Sequence, residues 1–315
     1  MSELLHVSSA PHVRAKTSTS RVMLCVILAM LPTMCFGIYN FGIRALYLVV
    51  VTVLSCVLSE TVFNLIAKKK NTIGDLSAVV TGMILALNMP VSLPYWQAVV
   101  GGIFAIIVVK MLFGGLGQNF MNPALAARCF LLISFGTSMN NFDVADAYSG
   151  ATPLQQIKDG ATISADFLKD LFIGTTAGTI GETSALCLLI GALILVATKT
   201  ISLRIPVAYL GSFAVFMLVF GAEQFDPMFV IAHLLGGGIM FGAFFMATDY
   251  ATTPITKMGQ IIFGICCGLM TGIFRCFGSA TEGVSYAIIL CNLFVPLIEK
   301  ITVPRAFGLS KKEVK

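Results

Sequence analysis

Apolar runs separated by short polar connectors fill most of the chain, at about residues 22–40, 45–67, 75–90, 96–114, 121–139, 182–198, 205–221, 227–247, 258–275 and 283–300. Each approaches the roughly twenty residues that cross about 30 Å of hydrocarbon at about 1.5 Å per residue. The pattern predicts an all-α polytopic membrane protein with about ten transmembrane helices. The third and fifth runs are short and bounded by Gly or Pro, which predicts tilted or broken helices. Gly82 through Asn88 followed by Pro94 aligns with Gly242 through Thr248 followed by Pro254, with a glycine-to-proline spacing of twelve residues in both. This weak internal similarity divides the runs five and five. An odd number of spans per half gives the halves opposite topology, an inverted repeat whose interface near the midplane is a place for a binding site.

Composition excludes a soluble core: 57% of the 315 residues are hydrophobic and 11% charged, against about 25% charged in soluble domains. Orientation follows from Lys and Arg, which are retained on the cytoplasmic side of short loops. With the N-terminus inside, fifteen basic residues fall on that side and only Arg44, Lys158, Lys169 and Arg275 on the other. The expected organisation is a cytoplasmic tail over 1–21, a five-helix unit over 22–139, an extracytoplasmic loop over 140–181, a second five-helix unit over 182–300 and a cytoplasmic tail over 301–315. The first residues lack the apolar core and cleavage site of a secretory signal, so the tail is read as retained. The net charge of +5 then belongs to the cytoplasmic face and argues for no nucleic-acid partner. Nine cysteines lie almost entirely in apolar runs without a CxxC or Cys/His cluster, which speaks against an iron–sulfur or zinc site made by this chain alone.

The longest polar loop holds Tyr148-Ser149-Gly150-Ala151-Thr152-Pro153-Leu154-Gln155. Thr152 reads as a helix N-cap, Pro153 as the first helical residue and Gln155 as the partner that completes a capping box. A phosphate at that hydroxyl would meet unpaired N–H groups and the positive end of the helix dipole; an ordinary N-cap would have the same sequence. Within the apolar runs, ionisable residues are candidates by default. Arg128 lies in the fifth run after Asn122-Pro123, placed near the cytoplasmic face. It suits either an anionic or acceptor-rich ligand such as a phosphate or a structural pair with a carbonyl or Asp75. His233 reads as a packing residue or a ligand, Asp249 as a cation ligand or a cap, and Glu182 as an organiser of the Thr152 loop or a first-turn acid. No catalytic triad, Walker motif or dinucleotide fingerprint occurs in a supporting context.

Ser149-Gly150-Ala151-Thr152, after five apolar runs, resembles the flavin-attachment motif of the family containing the D subunits of Rnf complexes and the related B subunits of sodium-pumping NADH:quinone reductases. The likeness extends to Ser9-Ala10-Pro11-His12, Gly117-Gln118-Asn119, Asn122-Pro123-Ala124 and Gly181-Glu182-Thr183-Ser184, so it spans the chain, and the short tail before the first run is closer to the Rnf branch. The resemblance implies a urea-transporter-like fold and FMN joined to Thr152 by a phosphoester. It also implies a second, non-covalent flavin, riboflavin, for which Asn88, Gly117, Asn119, Arg128 and Asp249 are the candidate wall. It further implies a membrane electron-transfer subunit of a ferredoxin:NAD+ oxidoreductase, not catalytic alone, with electron flow coupled to Na+ or H+ translocation in the cytoplasmic membrane. Its expected partners are Rnf subunits A, B, C, E and G and a flavin transferase. The alternative is a flavin-free channel or transporter for a small neutral solute, which the same architecture permits.

Overall fold

The computed structural model describes residues 18–69, 71–142, 151–223, 225–278 and 282–304. Tyr148, Ser149 and Gly150 of the loop motif and Ser9 through His12 lie outside them. The described residues form helices and connectors without strands, and every predicted apolar run contains a helix. The helices are α1 (Thr19–Phe41), α2 (Ile43–Ile66), α3 (Ser77–Leu87), α4 (Tyr95–Met111), α5 (Pro123–Ser134), α6 (Pro153–Lys158), α7 (Ala165–Ile173), α8 (Ala185–Ala197), α9 (Arg204–Phe220), α10 (Pro227–Leu235), α11 (Ile239–Met246), α12 (Lys257–Phe277) and α13 (Val284–Thr302), besides single turns. Four of these, α1, α2, α12 and α13, are long and apolar enough to span by themselves. The α10–α11 pair does so as a bent unit, with 65° between its halves. The other core helices are shorter, as the Gly/Pro boundaries of the third and fifth runs led us to expect for α3 and α5.

Local chemistry sets the breaks. After α3 the chain leaves the helix in a turn and bend through Asn88-Met89-Pro90, and the carbonyls of Leu87 and Met89 accept from the amides of Gly181 and Ile180. A backbone that leaves the helix inside a membrane protein must find such partners in the protein. Between α10 and α11, Gly237 and Gly238 take φ of +64° and +63°. A Cβ at Gly238 would also collide with the Glu182 carboxylate, so this turn needs glycine for conformation and for space. The most extensive helix–helix contact is that of α9 with α12. There Gly264, Gly268 and Gly272 form one small-residue face, and a Cβ at Gly268 would lie 2.5 Å from the Tyr209 carbonyl. Without a hydrophobic drive inside lipid, close van der Waals approach of this kind is what joins spans.

The bundle has two ends that α1 connects. Its first turns border a cleft that also contains Asp249, while Asn40 near its last turn donates to the Gly174 carbonyl in the segment that follows Thr152. Twenty-three residues of helix separate them by about 35 Å. At the Asp249 end Lys110 is fully buried: its Nζ lies 2.7 Å from Glu60 Oε2 and 2.6 Å from Ser77 Oγ, and Thr72 donates to the other Glu60 oxygen. Lys110, one of the fifteen basic residues assigned from sequence to the cytoplasmic side, is therefore an interior residue that ties α2 and the start of α3 to α4. Lys110→Met leaves the Glu60 carboxylate buried without its counter-ion and is expected to cost about 3–5 kcal/mol, most of it regained in the Glu60→Leu/Lys110→Met double variant. Thermal unfolding of the detergent-solubilised proteins checks this, and an unchanged midpoint in the single variant would remove the pair from the structural account.

Candidate functional site

Thr152 caps α6, and its Oγ1 accepts from the Gln155 amide at 3.4 Å with Pro153 in the first turn. The capping box is only half made. The Gln155 side chain turns outward to Asp159, and Gln156 Nε2 donates to the Ala151 carbonyl instead. Thr152 is buried and borders a crevice of about 20 Å³ together with Thr176, Gly237, Glu182 and Glu282. That space is of the order of one water. A ring system esterified at Thr152 would therefore lie outside the crevice, with only the linkage at its rim.

Behind this crevice sits the most highly charged interior of the described residues. Arg128 is buried, and its Nη1 donates to Asn88 Oδ1 at 2.8 Å and to Ser285 Oγ at 3.0 Å. Its Nη2 lies 2.5 Å from Glu282 Oε2 and 3.4 Å from Glu182 Oε1. Asp75 is not among its partners; its Oδ1 accepts from the Ser77 amide and hydroxyl. The reason is where α5 starts. Asn122, its cap, is buried and donates to the Met246 carbonyl, so the helix begins inside the bundle and carries Arg128 deeper than counting from a surface start suggests. Glu182 likewise is no first-turn acid. Ser184 caps α8, leaving Glu182 in the preceding loop, where it faces Arg128. Glu182 Oε1 receives no hydrogen bond, nor does Arg128 Nε make one, and the Thr179 and Thr183 hydroxyls are also buried without partners.

At the opposite end, Gly117, Asn119, Asp249, Tyr250, Asn292 and Glu299 border a cleft of about 730 Å³. That volume lies in the range of small-molecule sites, about 300–1,000 Å³. Gly114, Gly115 and Gly117 all have positive φ, so this turn does depend on glycine backbone. Asp249 accepts from the Ala251 amide and the Thr252 hydroxyl. Burial pushes its carboxyl above the usual carboxylate range, with those two bonds opposing the shift. The amide nitrogen and oxygen of Asn292 are both buried without a partner, so the cleft wall holds an unmatched donor and acceptor. The five candidates for the second flavin thus fall into two groups. Gly117, Asn119 and Asp249 share the cleft, whereas Asn88 and Arg128 belong to the ionic cluster behind Thr152. Asn88 Nδ2 donates to the Ile84 carbonyl at 2.7 Å and lies 3.6 Å from Met246 Sδ, so it does not join the cleft.

Sequence reasoning missed Glu282, Ser285 and Asn292, and it assigned no part to Glu60 or to the clasp made by Arg275. For all but Glu282, which stands just before the last run, the signal was a polar side chain inside an apolar run, but the pairings join residues up to 157 positions apart. Arg275 bonds the carbonyls of His233, Gly236 and Gly237, holding the break between α10 and α11. His233 packs its ring 4.5 Å from that of Phe229, and neither of its nitrogens has a partner.

The chain as a whole is similar to known proteins. The chain is 50% identical, over the full length of both, to the D subunit of the Na+-translocating ferredoxin:NAD+ oxidoreductase complex of Acetobacterium woodii. It is 38% identical to the D subunit of the proton-translocating ferredoxin:NAD+ oxidoreductase complex of Clostridium ljungdahlii, covering 96% of each chain. With the D subunit of the ion-translocating oxidoreductase complex of Stutzerimonas stutzeri it shares 37% identity, covering 93% of each. The model of the NQR2, RnfD, RnfE family matches residues 6–308, and with helices at every predicted run and full-length relatives of this kind, the chain belongs to that family.

Proposed function

We propose that this chain is the D subunit of an Rnf-type ferredoxin:NAD+ oxidoreductase of the cytoplasmic membrane, a part of the electron path that is not catalytic alone. Full-length identity of 50% to a subunit of that complex carries the reading. In it, Thr152 carries FMN by a phosphoester and the cleft at the other end holds a non-covalent flavin, riboflavin. The isoalloxazine ring supplies reversible one- and two-electron transfer, which no side chain here provides. The other Rnf subunits, A, B, C, E and G, hold the ferredoxin and NAD+ chemistry, and a flavin transferase makes the Thr152 bond.

The described residues fit both groups. The Thr152 hydroxyl stands at a helix start where backbone N–H groups favour a phosphoryl oxygen, and the crevice beneath it leaves the ring outside. In the cleft, the unmatched amide of Asn292 and the glycine backbone at Gly117 offer donors and acceptors to a flat polar ring edge. The two ends are about 35 Å apart along α1, so one carrier at Thr152 does not serve both faces, and a second carrier inside the chain or a partner is required. Between them Arg128, Asn88, Glu182 and Glu282 fix the charge balance of the interior beneath Thr152, where Na+ or H+ movement would be felt electrostatically. Inverted repeats fit the same arrangement. α3 to α4 and α11 to α12 are each eighteen residues from start to start, and the offset between Gly82 and Gly242 carries Asn122, the cap of α5, onto Glu282, by the crevice.

Two outcomes test the reading. Thr152→Ala, made beside the partner subunits and transferase, is expected to abolish flavin fluorescence of the denatured chain in a gel while the protein still inserts; fluorescence that persists rejects the attachment site. The proposed orientation puts Thr152 on the extracytoplasmic side with both termini inside. Single cysteines replacing the exposed Asp159 or Asp166 in a cysteine-depleted background should then react with an impermeant thiol reagent added to intact cells. Labelling only after the membrane is opened would reverse the topology and the electron path with it.

A further inference from the structure

Where α9, α10 and α12 end beside the surface helix α6, the chain surrounds a cavity of about 250 Å³. Leu154, Met217 and Phe229 give it an apolar wall. Lys158, His233 and Arg275 border it, and among the described residues no carboxylate does. His233 is 8% exposed and Arg275 6%. Neither imidazole nitrogen has a partner, and although the terminal nitrogens of Arg275 hold three carbonyls, its Nε has none. Lys158, at the rim, reaches the Gly278 carbonyl at 3.0 Å. Phe220 and Phe277 also border the cavity and are 58% and 73% exposed, as side chains turned toward lipid are.

Polar groups buried in a protein are ordinarily hydrogen-bonded, because leaving them bare is costly. Here the Nε of a buried guanidinium and both nitrogens of a buried imidazole, none with a partner, border a void whose remaining surface is mostly apolar. The acceptor this calls for is negatively charged and attached to an apolar body. We propose that the cavity binds the head of an anionic phospholipid, with its phosphate among Lys158, His233 and Arg275 and its acyl chains leaving over Phe220 and Phe277. Free phosphate shares the head chemistry but has no use for the apolar wall. The site is separate from the residues assigned to either flavin. Because Leu154 and Ile157 of α6 form part of its wall, a bound lipid braces the helix that Thr152 caps.

The test uses the full-length chain in detergent, with native mass spectrometry and thermal unfolding in the presence of phosphatidylglycerol, phosphatidylcholine or inorganic phosphate. Phosphatidylglycerol is expected to be retained and to raise the unfolding midpoint, and the other two to do neither. Lys158→Gln and His233→Phe should each weaken retention about tenfold, the loss of one charge-assisted contact. His233→Phe should also raise the midpoint of the lipid-free protein by removing the unmatched imidazole. If His233→Phe does not fold, the exposed Lys158→Gln decides alone. Equal retention of phosphatidylcholine, or an unchanged phosphatidylglycerol response in Lys158→Gln, overturns the site. Stabilisation by phosphate alone, equal to that by the lipid, would make it a simple anion site and overturn the lipid assignment.

Discussion

The interior depends on Arg128. One guanidinium joins Asn88 at the end of α3, Ser285 at the start of α13, and the loops that carry Glu182 and Glu282, so four segments distant in sequence meet at one buried cation. In a low-dielectric interior such a charge is tolerable only when compensated, and removing one partner strands the others. Every break in the surrounding helices has the same character. The turn after α3 borrows amides from the 180–181 loop, and the break before α11 is held by Arg275. Helices interrupted inside a membrane protein survive by borrowing partners, and here the borrowed partners are what bring polar chemistry to the middle of an apolar chain.

That arrangement leaves two unlike openings. At one end a narrow crevice separates Thr152 from the acids around Arg128; at the other a wide cleft opens between the glycine turn, Asp249 and Asn292. The difference in size matches the difference in proposed attachment. A group held by a covalent bond needs only its linkage seated, whereas one held without a bond needs a wall that buries most of its surface. Lys110 with Glu60 near the wide cleft, and Arg275 near the crevice, each pin the start of a helix that begins beside the opening.

Much of this was legible in the sequence and some was not, for physical reasons. Hydropathy marked the runs because burial in lipid imposes a length and a composition, and all ten coincide with helices. The cap at Thr152 was readable because capping is decided within four residues. Its box was misread because Gln155 had a competing partner, Asp159, one turn away. The depth of Arg128 was misjudged because a helix that starts inside the bundle looks, in sequence, the same as one that starts at the surface. Pairings such as Arg128 with Glu282 depend on folding residues 154 apart onto one another, and no local pattern encodes them. The full-length resemblance, borne out by the family match, supplied what local patterns did not.

Thr152 is the residue proposed to turn this helical bundle into an electron carrier. The most direct measurement is the mass, with fragmentation, of the peptide containing Thr152, taken from protein purified out of membranes that also make the partner subunits and the flavin transferase. The expected result is a peptide heavier by FMN less one water, with the added mass located on Thr152. A peptide found only in its unmodified form, or with the flavin on another residue, would contradict the proposal.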